Sequence, residues 1–219
     1  MALEEPVEVK ICGINSADAM KAALDGGADY VGLVFYPPSP RYVTPDQAVP
    51  LAALVPEMVI KVGLFVDIDD DTLGNILKTV PLDFLQLHGS ESPARVAEIK
   101  SATGLPVMKA IKVASAEDVE AARKYCDIVD MLLFDAKTPA DMEGALPGGN
   151  ALAFDWQLLG GRDWPVPWML SGGLDATNVA EAVRITGTPA IDVSSGVEDA
   201  PGVKSPAKIT EFLSIIMGL

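Results

Sequence analysis

The sequence predicts a parallel α/β fold, and within that class a single closed (β/α)8 TIM barrel spanning residues 1–219. Short apolar runs rich in β-branched residues alternate with segments rich in Ala, Leu, Glu and Lys, which is the pattern of repeated βα units. Most runs are continuously apolar, as in parallel strands buried on both faces. Eight runs in 219 residues give about 27 residues per unit, and the lack of a reversal signal favours a closed barrel over an open doubly wound sheet.

Eight strands are predicted, each followed within a few residues by Gly, Asp, Ser or Pro. In chain order they cover residues 7–12, 30–34, 59–66, 84–87, 107–111, 131–134, 168–170 and 190–193. No linker rich in Pro and Ser and no shift in composition divides the chain, so we expect one domain. In such a barrel the active site lies at the carboxyl ends of the strands, so function is sought in the residues found there.

Seven helices are predicted between and after the strands. Ser16 is a capping residue in front of the first helix and a Gly-Gly pair follows it, while Thr44 before Pro45 begins the second. The predicted helices cover residues 16–25, 45–54, 70–78, 92–100, 116–125, 175–184 and 205–217. Residues 139–164 are ambiguous, apart from one or two helical turns predicted at 154–159.

The charge balance disfavours several functions. With 31 acidic and 16 basic residues the formal net charge is −15, so nucleic acid and anionic membrane surfaces are repelled. No uncharged run reaches the roughly 18 residues of a membrane span, and no signal peptide is evident. Two cysteines form no disulfide framework, which favours a cytoplasmic location. One histidine rules out a His-rich metal cluster, and we expect neither a metal nor a cofactor.

A thiol and a guanidinium lie near the ends of the first two strands. Cys12 lies on the same strand face as Lys10, just before the first helix, whose N-terminus would lower the pKa of a thiol and make it a base or nucleophile. Alternatively, Cys12 is a buried packing residue. Arg41 follows a loop with three prolines, stiff enough to hold a guanidinium over a carboxylate or phosphate. The alternative is a solvated surface arginine.

Two more candidates follow the fourth and sixth strands. His88 comes directly after strand four, either as a functional residue or as a hydrogen-bonded packing residue. Asp135 follows the apolar run of strand six. Apolar surroundings raise the pKa of a carboxyl group, so an aspartate in this place is a candidate general acid. The alternative is an aspartate that caps a helix or anchors a loop.

The strongest local signal follows strands seven and eight. Gly172 and Gly173 come after the former, and Ser194, Ser195 and Gly196 come after the latter. In (β/α)8 barrels these two loops commonly bind phosphate through backbone N–H groups and a helix N-terminus. The glycines allow close approach and the serines add donors, so the sequence predicts a phosphate site built mainly from main chain. Such a site lets an acidic protein hold an anionic small molecule.

These segments together resemble the phosphoribosylanthranilate isomerase family of the tryptophan pathway. The matching motifs are Lys-Ile-Cys-Gly at 10–13, Ser-Pro-Arg at 39–41, Gln-Leu-His-Gly at 86–89, Leu-Phe-Asp at 133–135, Phe-Asp-Trp at 154–156, Ser-Gly-Gly-Leu at 171–174 and Val-Ser-Ser-Gly-Val-Glu at 193–198. They occur in family order over nearly the whole chain. The first and last are the most specific, because glycine-pair phosphate loops are shared with several phosphosugar barrels.

The resemblance implies an isomerase that rearranges a phosphosugar, N-(5-phosphoribosyl)anthranilate, to its aminoketose by general acid and base catalysis, without a metal or cofactor. It implies that Cys12 is the base, that Asp135 is the acid, and that Arg41 meets the anthranilate carboxylate. His88 and Asp192 match motifs near the substrate, with no chemical step assigned to them. The residues implied to hold the 5′-phosphate are Gly172, Gly173, Ser194, Ser195 and Gly196.

One motif departs from the family pattern. Family members often have Gly-Gly-Thr/Ser-Gly in the loop before Phe-Asp-Trp, whereas this chain has Gly-Gly-Asn-Ala at residues 148–151. The last glycine and the hydroxyl residue are therefore both replaced. The contacts and closure of this loop are therefore expected to differ from those of the family. The expected roles of the acid and the base are unchanged.

Three alternatives keep the phosphate site and change the chemistry. An indoleglycerol-phosphate synthase-like barrel would use a lysine near a strand end, and Lys10 and Lys109 are available. A histidine-pathway aminoaldose isomerase would have an aspartate in place of Cys12. A non-catalytic phosphate-binding barrel would bind without turnover. The sequence pattern does not distinguish a monomer from a homodimer.

Overall fold

The strands of the computed structural model close into a barrel. The structure describes residues 6–138, 148–150 and 152–219. The barrel strands are β1 (Glu8–Cys12), β2 (Tyr30–Val34), β3 (Ile60–Phe65), β4 (Phe84–Leu87), β5 (Val107–Val113), β6 (Met131–Ala136), β7 (Trp168–Leu170) and β8 (Ala190–Val193). Each strand pairs in parallel with the next, and β8 pairs with β1. The predicted (β/α)8 barrel is therefore confirmed.

Helices and short 3₁₀ segments connect the strands. The α-helices are α1 (Ala17–Asp25), α2 (Pro45–Ala52), α3 (Asp70–Thr79), α4 (Pro93–Thr103), α5 (Ala116–Glu120), α6 (Val179–Thr186) and α7 (Pro206–Met217). The 3₁₀ segments are Ala121–Tyr125, Trp156–Leu158 and Ser195–Val197. An antiparallel ribbon of β9 (Glu198–Ala200) and β10 (Val203–Lys204) precedes α7. The ribbon was not predicted, because its strands are too short for a period-two pattern.

The predicted helix starts at Ser16 and Thr44 are confirmed. The Ser16 side chain accepts a hydrogen bond from the backbone N–H of Ala19 at 3.3 Å. Thr44 accepts one from the N–H of Gln47 at 3.2 Å, and the Gln47 side chain accepts one from the N–H of Thr44 at 2.9 Å. This reciprocal pair is a capping box, which satisfies backbone donors that the helix itself leaves free.

Strands β5 and β6 each run two residues further than predicted. The prediction ended them before the charged residues Lys112 and Asp135, but the ladder continues and pairs these two residues with each other. Asp135 is therefore part of the strand, and the ladder fixes its backbone. By contrast, β3 is one residue shorter at each end than the predicted 59–66.

Two predicted helices have the wrong extent. The helix predicted over 116–125 is α-helical only in its first half and continues as 3₁₀ helix. The helix predicted over 175–184 begins later, at Val179. The Asp175 side chain accepts hydrogen bonds from the N–H and the hydroxyl of Thr177, at 2.8 and 2.6 Å. This local turn competes with the helix.

Side chains of the barrel strands alternate between two apolar regions. Outward-facing residues such as Phe134 pack under the helices, whereas Leu133 packs in the barrel interior. A third apolar group lies at the carboxyl end of the interior and consists of Cys12, Val34 and Leu64. Cys12 is therefore an inward-facing residue of the end that carries function in this fold.

The lengths of the helices show whether any of them could span a membrane. The longest α-helix of the described ranges is α7, with 12 residues, whereas a bilayer span needs about 20. Over the part of the chain that the structure describes, none of the helices has the length and hydropathy of a membrane span.

Replacing Phe212 with Ala tests the packing of α7. Phe212 is fully buried, and α7 packs against α1, so the change should lower the free energy of unfolding by about 3–5 kcal/mol. Urea denaturation followed by circular dichroism measures this loss. The neighbouring exposed Glu211 provides the control, because Glu211→Ala should change stability by less than about 0.5 kcal/mol. Equal effects in the two variants would contradict the packing described here.

Candidate active site

A cavity opens at the carboxyl ends of the barrel strands. Nine of the ten predicted site residues line it, namely Cys12, Arg41, His88, Asp135, Gly172, Gly173, Asp192, Ser194 and Ser195. The tenth, Gly196, lies against the main chain of Leu174. The cavity therefore brings together the predicted thiol, carboxyl and guanidinium groups and the two glycine-containing loops.

A buried ammonium group lies beside Cys12. Lys10 and Cys12 share one face of β1 and are 0% and 4% exposed. The positive charge of Lys10 acts on the Cys12 thiol. A methyl group at Gly32, on β2, would lie 3.1 Å from the Cys12 sulfur and 3.3 Å from Lys10 Nζ. The glycine therefore leaves room for both groups.

The charges around Cys12 act in opposite directions on its ionisation. Burial raises the pKa of the Cys12 thiol above its ordinary value, while the charge and hydrogen bond of Lys10 act against this rise. Burial also acts to lower the pKa of Lys10, but Asp192 and Cys12 outweigh it, so the pKa of Lys10 is raised. Lys10 is thus held as a cation that stabilises the thiolate form of Cys12.

Asp192 forms a hydrogen bond through each carboxylate oxygen. Its Oδ1 accepts from Lys10 Nζ at 2.7 Å, and its Oδ2 accepts from the Ser171 hydroxyl at 2.9 Å. Lys10 and Asp192 are also register partners between β1 and β8. Asp192 lines the cavity as expected, but its bonds are directed at Lys10 and Ser171, so it positions the cation beside Cys12.

Asp135 also has a partner for each oxygen. Its Oδ1 accepts from the backbone N–H of Ala136 at 2.9 Å, and its Oδ2 lies 3.1 Å from Nε2 of His88. The other ring nitrogen of His88, Nδ1, lies 2.8 Å from the side-chain nitrogen of Gln86. Both nitrogens of His88 therefore bond to protein groups, and the ring supports Asp135.

Two glycines pack closely against the pair of His88 and Asp135. A methyl group at Gly148 would lie 2.5 Å from His88 Nε2 and 2.9 Å from Asp135 Oδ2. A methyl group at Gly172 would lie 2.7 Å from the Ala136 nitrogen and 3.1 Å from Asp135 Oδ1. Gly172 also has φ +92°, a conformation that favours glycine. Main chain therefore packs closely against both His88 and Asp135, and a side chain larger than glycine would not fit at either position.

Arg41 is buried, not solvated, at 4% exposure. Its Nε and Nη2 donate to the two carboxylate oxygens of Glu198 at 2.8 and 2.9 Å, and Lys204 Nζ lies 2.6 Å from Oε1 of Glu198. Burial acts to raise the pKa of Glu198, but its bonds to Arg41 and Lys204 outweigh this and lower the pKa. Burial likewise lowers the pKa of Lys204, and its bond to Glu198 acts against this.

The two predicted phosphate loops pack directly on each other. A methyl group at Gly196 would lie 1.9 Å from the carbonyl oxygen of Leu174, so only glycine fits between the loops. Lys204 Nζ donates to the carbonyl oxygen of Ser194 at 3.0 Å and to its hydroxyl at 3.3 Å. These contacts hold the two loops in a fixed relation beside the cavity.

The motif that departs from the family is described only in part. Residues 139–147 and 151, which belong to the ambiguous region 139–164, lie outside the described ranges. Gly149 packs on Arg41, because a methyl group there would lie 2.4 Å from Nη1. The Asn150 side chain donates to the Thr138 hydroxyl at 2.9 Å. The described part of the loop therefore covers the cavity above Arg41 and Asp135.

The arrangement is suited to proton transfer on an anionic substrate. A thiol beside a cation and a carboxyl group beside a histidine share one cavity, whose edge carries a guanidinium. Within residues 6–138, 148–150 and 152–219, no group of three or more His, Cys, Asp or Glu side chains is placed to hold a metal ion.

Comparison with known proteins gives the family. The model of the family described as N-(5'phosphoribosyl)anthranilate (PRA) isomerase matches residues 9–214. The chain belongs to this isomerase family. The resemblance seen in the sequence motifs is thereby confirmed.

Relatives and solved structures of the isomerase family match over nearly their full length. The N-(5'-phosphoribosyl)anthranilate isomerase of Paramagnetospirillum magneticum is 59% identical, over 97% of this chain and 98% of the relative. The Thermotoga maritima isomerase structure has a TM-score of 0.86 at 36% identity, over 97% of this chain and 100% of that one. A structure of the isomerase in complex with reduced 1-(o-carboxyphenylamino)-1-deoxyribulose 5-phosphate has a TM-score of 0.81 at 33% identity, with the same coverage.

Five buried partners were missed as site residues. Gln86 and Ser171, which bond to His88 and Asp192, belong to isomerase-family motifs but had no role assigned. Lys10 lies on the same strand face as Cys12, so strand alternation gave a usable signal for it. Glu198 belongs to the last isomerase-family motif but had no role assigned. Lys204 had no signal, because it reaches Glu198 only through the unpredicted ribbon of β9 and β10.

Replacing Lys10 with Met tests its effect on Cys12. The pKa of the thiol should rise further, so the pH dependence of Cys12 alkylation by iodoacetamide should move to higher pH. Mass spectrometry of the Cys12 peptide measures this. Loss of the partner of Asp192 should also lower the free energy of unfolding by about 3–5 kcal/mol.

The exposed Lys21 provides the matched control for this experiment. Its side chain is 73% exposed and pairs with Asp25 on the same helix, so Lys21→Met should leave the alkylation profile of Cys12 unchanged. A profile that does not move in the Lys10 variant would show that Lys10 does not stabilise the thiolate.

Proposed function

We propose that this chain converts N-(5-phosphoribosyl)anthranilate to 1-(2-carboxyphenylamino)-1-deoxyribulose 5-phosphate, a step of tryptophan biosynthesis. The observation that carries the proposal is one cavity, in a member of the isomerase family, lined by both Cys12 and Asp135. The reaction is an Amadori rearrangement of an aminoaldose to an aminoketose. It requires an acid at the ring oxygen and a base at C2′, and no change of oxidation state of the whole molecule.

Asp135 acts as the general acid in this proposal. It gives a proton to the ring oxygen, the bond between C1′ and that oxygen breaks, and a Schiff base forms between C1′ and the anthranilate nitrogen. Two observations support the role: Asp135 lines the cavity from β6, and its carboxyl group is held in place by the N–H of Ala136 and the ring of His88. The acid is therefore within the cavity that binds the sugar.

Cys12 acts as the general base. Its thiolate removes the proton from C2′, and the electron pair forms the C1′–C2′ double bond of an enolamine while neutralising the Schiff base. The enolamine then tautomerises: C1′ gains a proton and the C2′ hydroxyl loses one, which gives the ketone. Lys10 supports this role, because its positive charge stabilises the thiolate that must form.

The substrate has two anionic groups, a carboxylate and a phosphate, and each has a binding group in the cavity. Arg41 binds the anthranilate carboxylate, because a guanidinium can donate two hydrogen bonds to a carboxylate. The 5′-phosphate binds to the two loops that pack on each other. The residues proposed to hold it are Gly172, Gly173, Ser194, Ser195 and Gly196, with Gly196 acting by bringing the loops together.

The synthase-like alternative requires a lysine in the cavity, and the lysine of β5 does not meet this requirement. Lys109 Nζ donates to three backbone carbonyls at 2.9–3.2 Å and pairs with Glu91 at 3.0 Å, and it is not among the residues that line the cavity. Lys10 is engaged by Asp192. The histidine-pathway alternative requires an aspartate where this chain has Cys12. Family membership and these contacts favour the isomerase.

The proposed substrate and the free cysteines indicate where in the cell the enzyme acts. We propose a cytoplasmic location, since the substrate is a small phosphosugar and the two cysteines, Cys12 and Cys126, are free. We further propose that residues 1–219 act as one domain, with no contribution from nucleic acid or membrane.

Substitution of either proposed catalytic group should abolish most turnover. Cys12→Ser and Asp135→Asn should each lower kcat by about 10²–10⁴-fold, because each removes one proton-transfer group. Binding of the phosphosugar should largely survive, since the anion-binding groups are retained. The decrease in anthranilate fluorescence as the substrate is consumed measures turnover.

Each of these variants has a matched control. Cys126→Ser changes the other thiol of the chain, and Asp127→Asn changes an exposed aspartate; both should keep wild-type kcat. Turnover within about threefold of wild type in Cys12→Ser or Asp135→Asn would defeat the corresponding assignment.

Arg41→Gln tests the carboxylate site. Loss of charge-assisted hydrogen bonds should raise KM for the substrate by about 10–100-fold with a smaller change in kcat. Glu198 keeps its bond to Lys204, so folding should survive. The control is Arg184→Gln, because the Arg184 side chain is 73% exposed. A KM unchanged from wild type in the Arg41 variant would place the anthranilate carboxylate elsewhere.

A further inference from the structure

Gln86, His88 and Asp135 form a buried chain of hydrogen bonds that ends at the proposed acid. The side-chain nitrogen of Gln86 lies 2.8 Å from His88 Nδ1, and His88 Nε2 lies 3.1 Å from Asp135 Oδ2. The exposure of the three residues is 0%, 5% and 5%. The remaining polar atom, Oε1 of Gln86, is buried and has no hydrogen-bond partner among the residues that the structure describes.

The unpartnered oxygen leaves the Gln86 amide free to take either of two orientations. With the nitrogen facing Nδ1, the His88 ring must carry its proton on Nε2 and donate it to an ionised Asp135. With the oxygen facing Nδ1, the ring carries a proton on Nδ1 and a second proton lies between Nε2 and Oδ2. The two orientations have the same shape, so the position of the protons decides between them.

We propose that Gln86 and His88 are positioning residues that load the acid: the Gln86 oxygen accepts the Nδ1 proton of His88, so the second proton lies between Nε2 and Asp135. This inference rests on the proposed function, because it concerns the proton that Asp135 gives to the ring oxygen. When that proton leaves, the pair retains one proton. The proton released by the C2′ hydroxyl in the last step restores the second.

The surroundings of the chain support a shared proton. Gly148 packs against the bond, Gly172 packs against Oδ1 of Asp135, and both bonded residues are buried. His88 Nε2 and Asp135 Oδ2 lie 3.1 Å apart, so one proton can lie between the two atoms. The other ionisable side chains that line the same cavity are Cys12, Tyr36, Arg41 and Asp192, and Lys112 is the register partner of Asp135 on β5.

The single histidine of the chain makes the proton positions measurable. His88 is the only histidine among 219 residues, so the ring nitrogens of the full chain, ¹⁵N-labelled and free of a histidine tag, give one set of NMR signals. At the pH of activity we expect Nδ1 to carry a proton. A ring with an unprotonated Nδ1 and a protonated Nε2 would overturn the proposal.

Two substitutions at Gln86 separate proton loading from packing. Gln86→Met keeps a similar length but offers no acceptor, so the ring should move its proton to Nε2 and kcat should fall by roughly 10–100-fold, with KM within about threefold. Gln86→Glu restores an acceptor, so Nδ1 should stay protonated and kcat should recover to within about threefold of wild type. A Met variant with wild-type kcat, or a Glu variant as slow as the Met variant, would contradict the proposed role.

The NMR measurement also distinguishes this inference from the proposed function. It reads the ring of His88 without substrate, so it gives an answer whether or not the chain turns over phosphoribosylanthranilate. A wild-type enzyme that is active and shows the Nε2–H ring would remove the loading role and leave the isomerase assignment intact. A wild-type chain without turnover would remove the isomerase assignment.

Discussion

The ion pair between Lys10 and Asp192 is the interaction on which the rest of the site depends. The two residues are register partners across the seam where β8 closes on β1, and their charged atoms are 2.7 Å apart in the barrel interior. An unpaired charge in such a place is costly, so neither residue can be buried there without the other. The pair therefore has two effects: it links the two strands that close the barrel, and it holds an ammonium group beside Cys12.

The two groups proposed to transfer protons contact the barrel interior in contrasting ways. Cys12 has a fixed cation, Lys10, which favours its ionised form. Asp135 has a neutral amide and an imidazole behind it, in Gln86 and His88, and these can hold a proton without a fixed charge. An acid and a base of this kind can share one cavity because each has its own buried partner. The cavity surface alone would not distinguish their roles.

Local sequence patterns predicted most of the fold and the lining of the cavity. Continuous apolar runs located all eight strands, and cap residues such as Ser16 located helix starts. The errors arose where another interaction decides: the side chain of Asp175 forms a turn of its own, and the β5–β6 ladder extends past Lys112. Among the missed partners, Lys10 had a local signal in strand alternation, whereas Lys204 depends on contacts between distant parts of the chain, which no local pattern encodes.

The seam between β1 and β8 also sets the order of events during synthesis. Lys10 and Asp192 are separated by 182 positions. During synthesis on the ribosome, the ammonium group of Lys10 therefore stays exposed to water until the eighth strand has been made. Contacts of such long range form late, because the intervening chain must first be brought together. A nascent fragment that lacks its last strand therefore has no enclosed cation beside the thiol, and enzyme activity arises only as the barrel is completed.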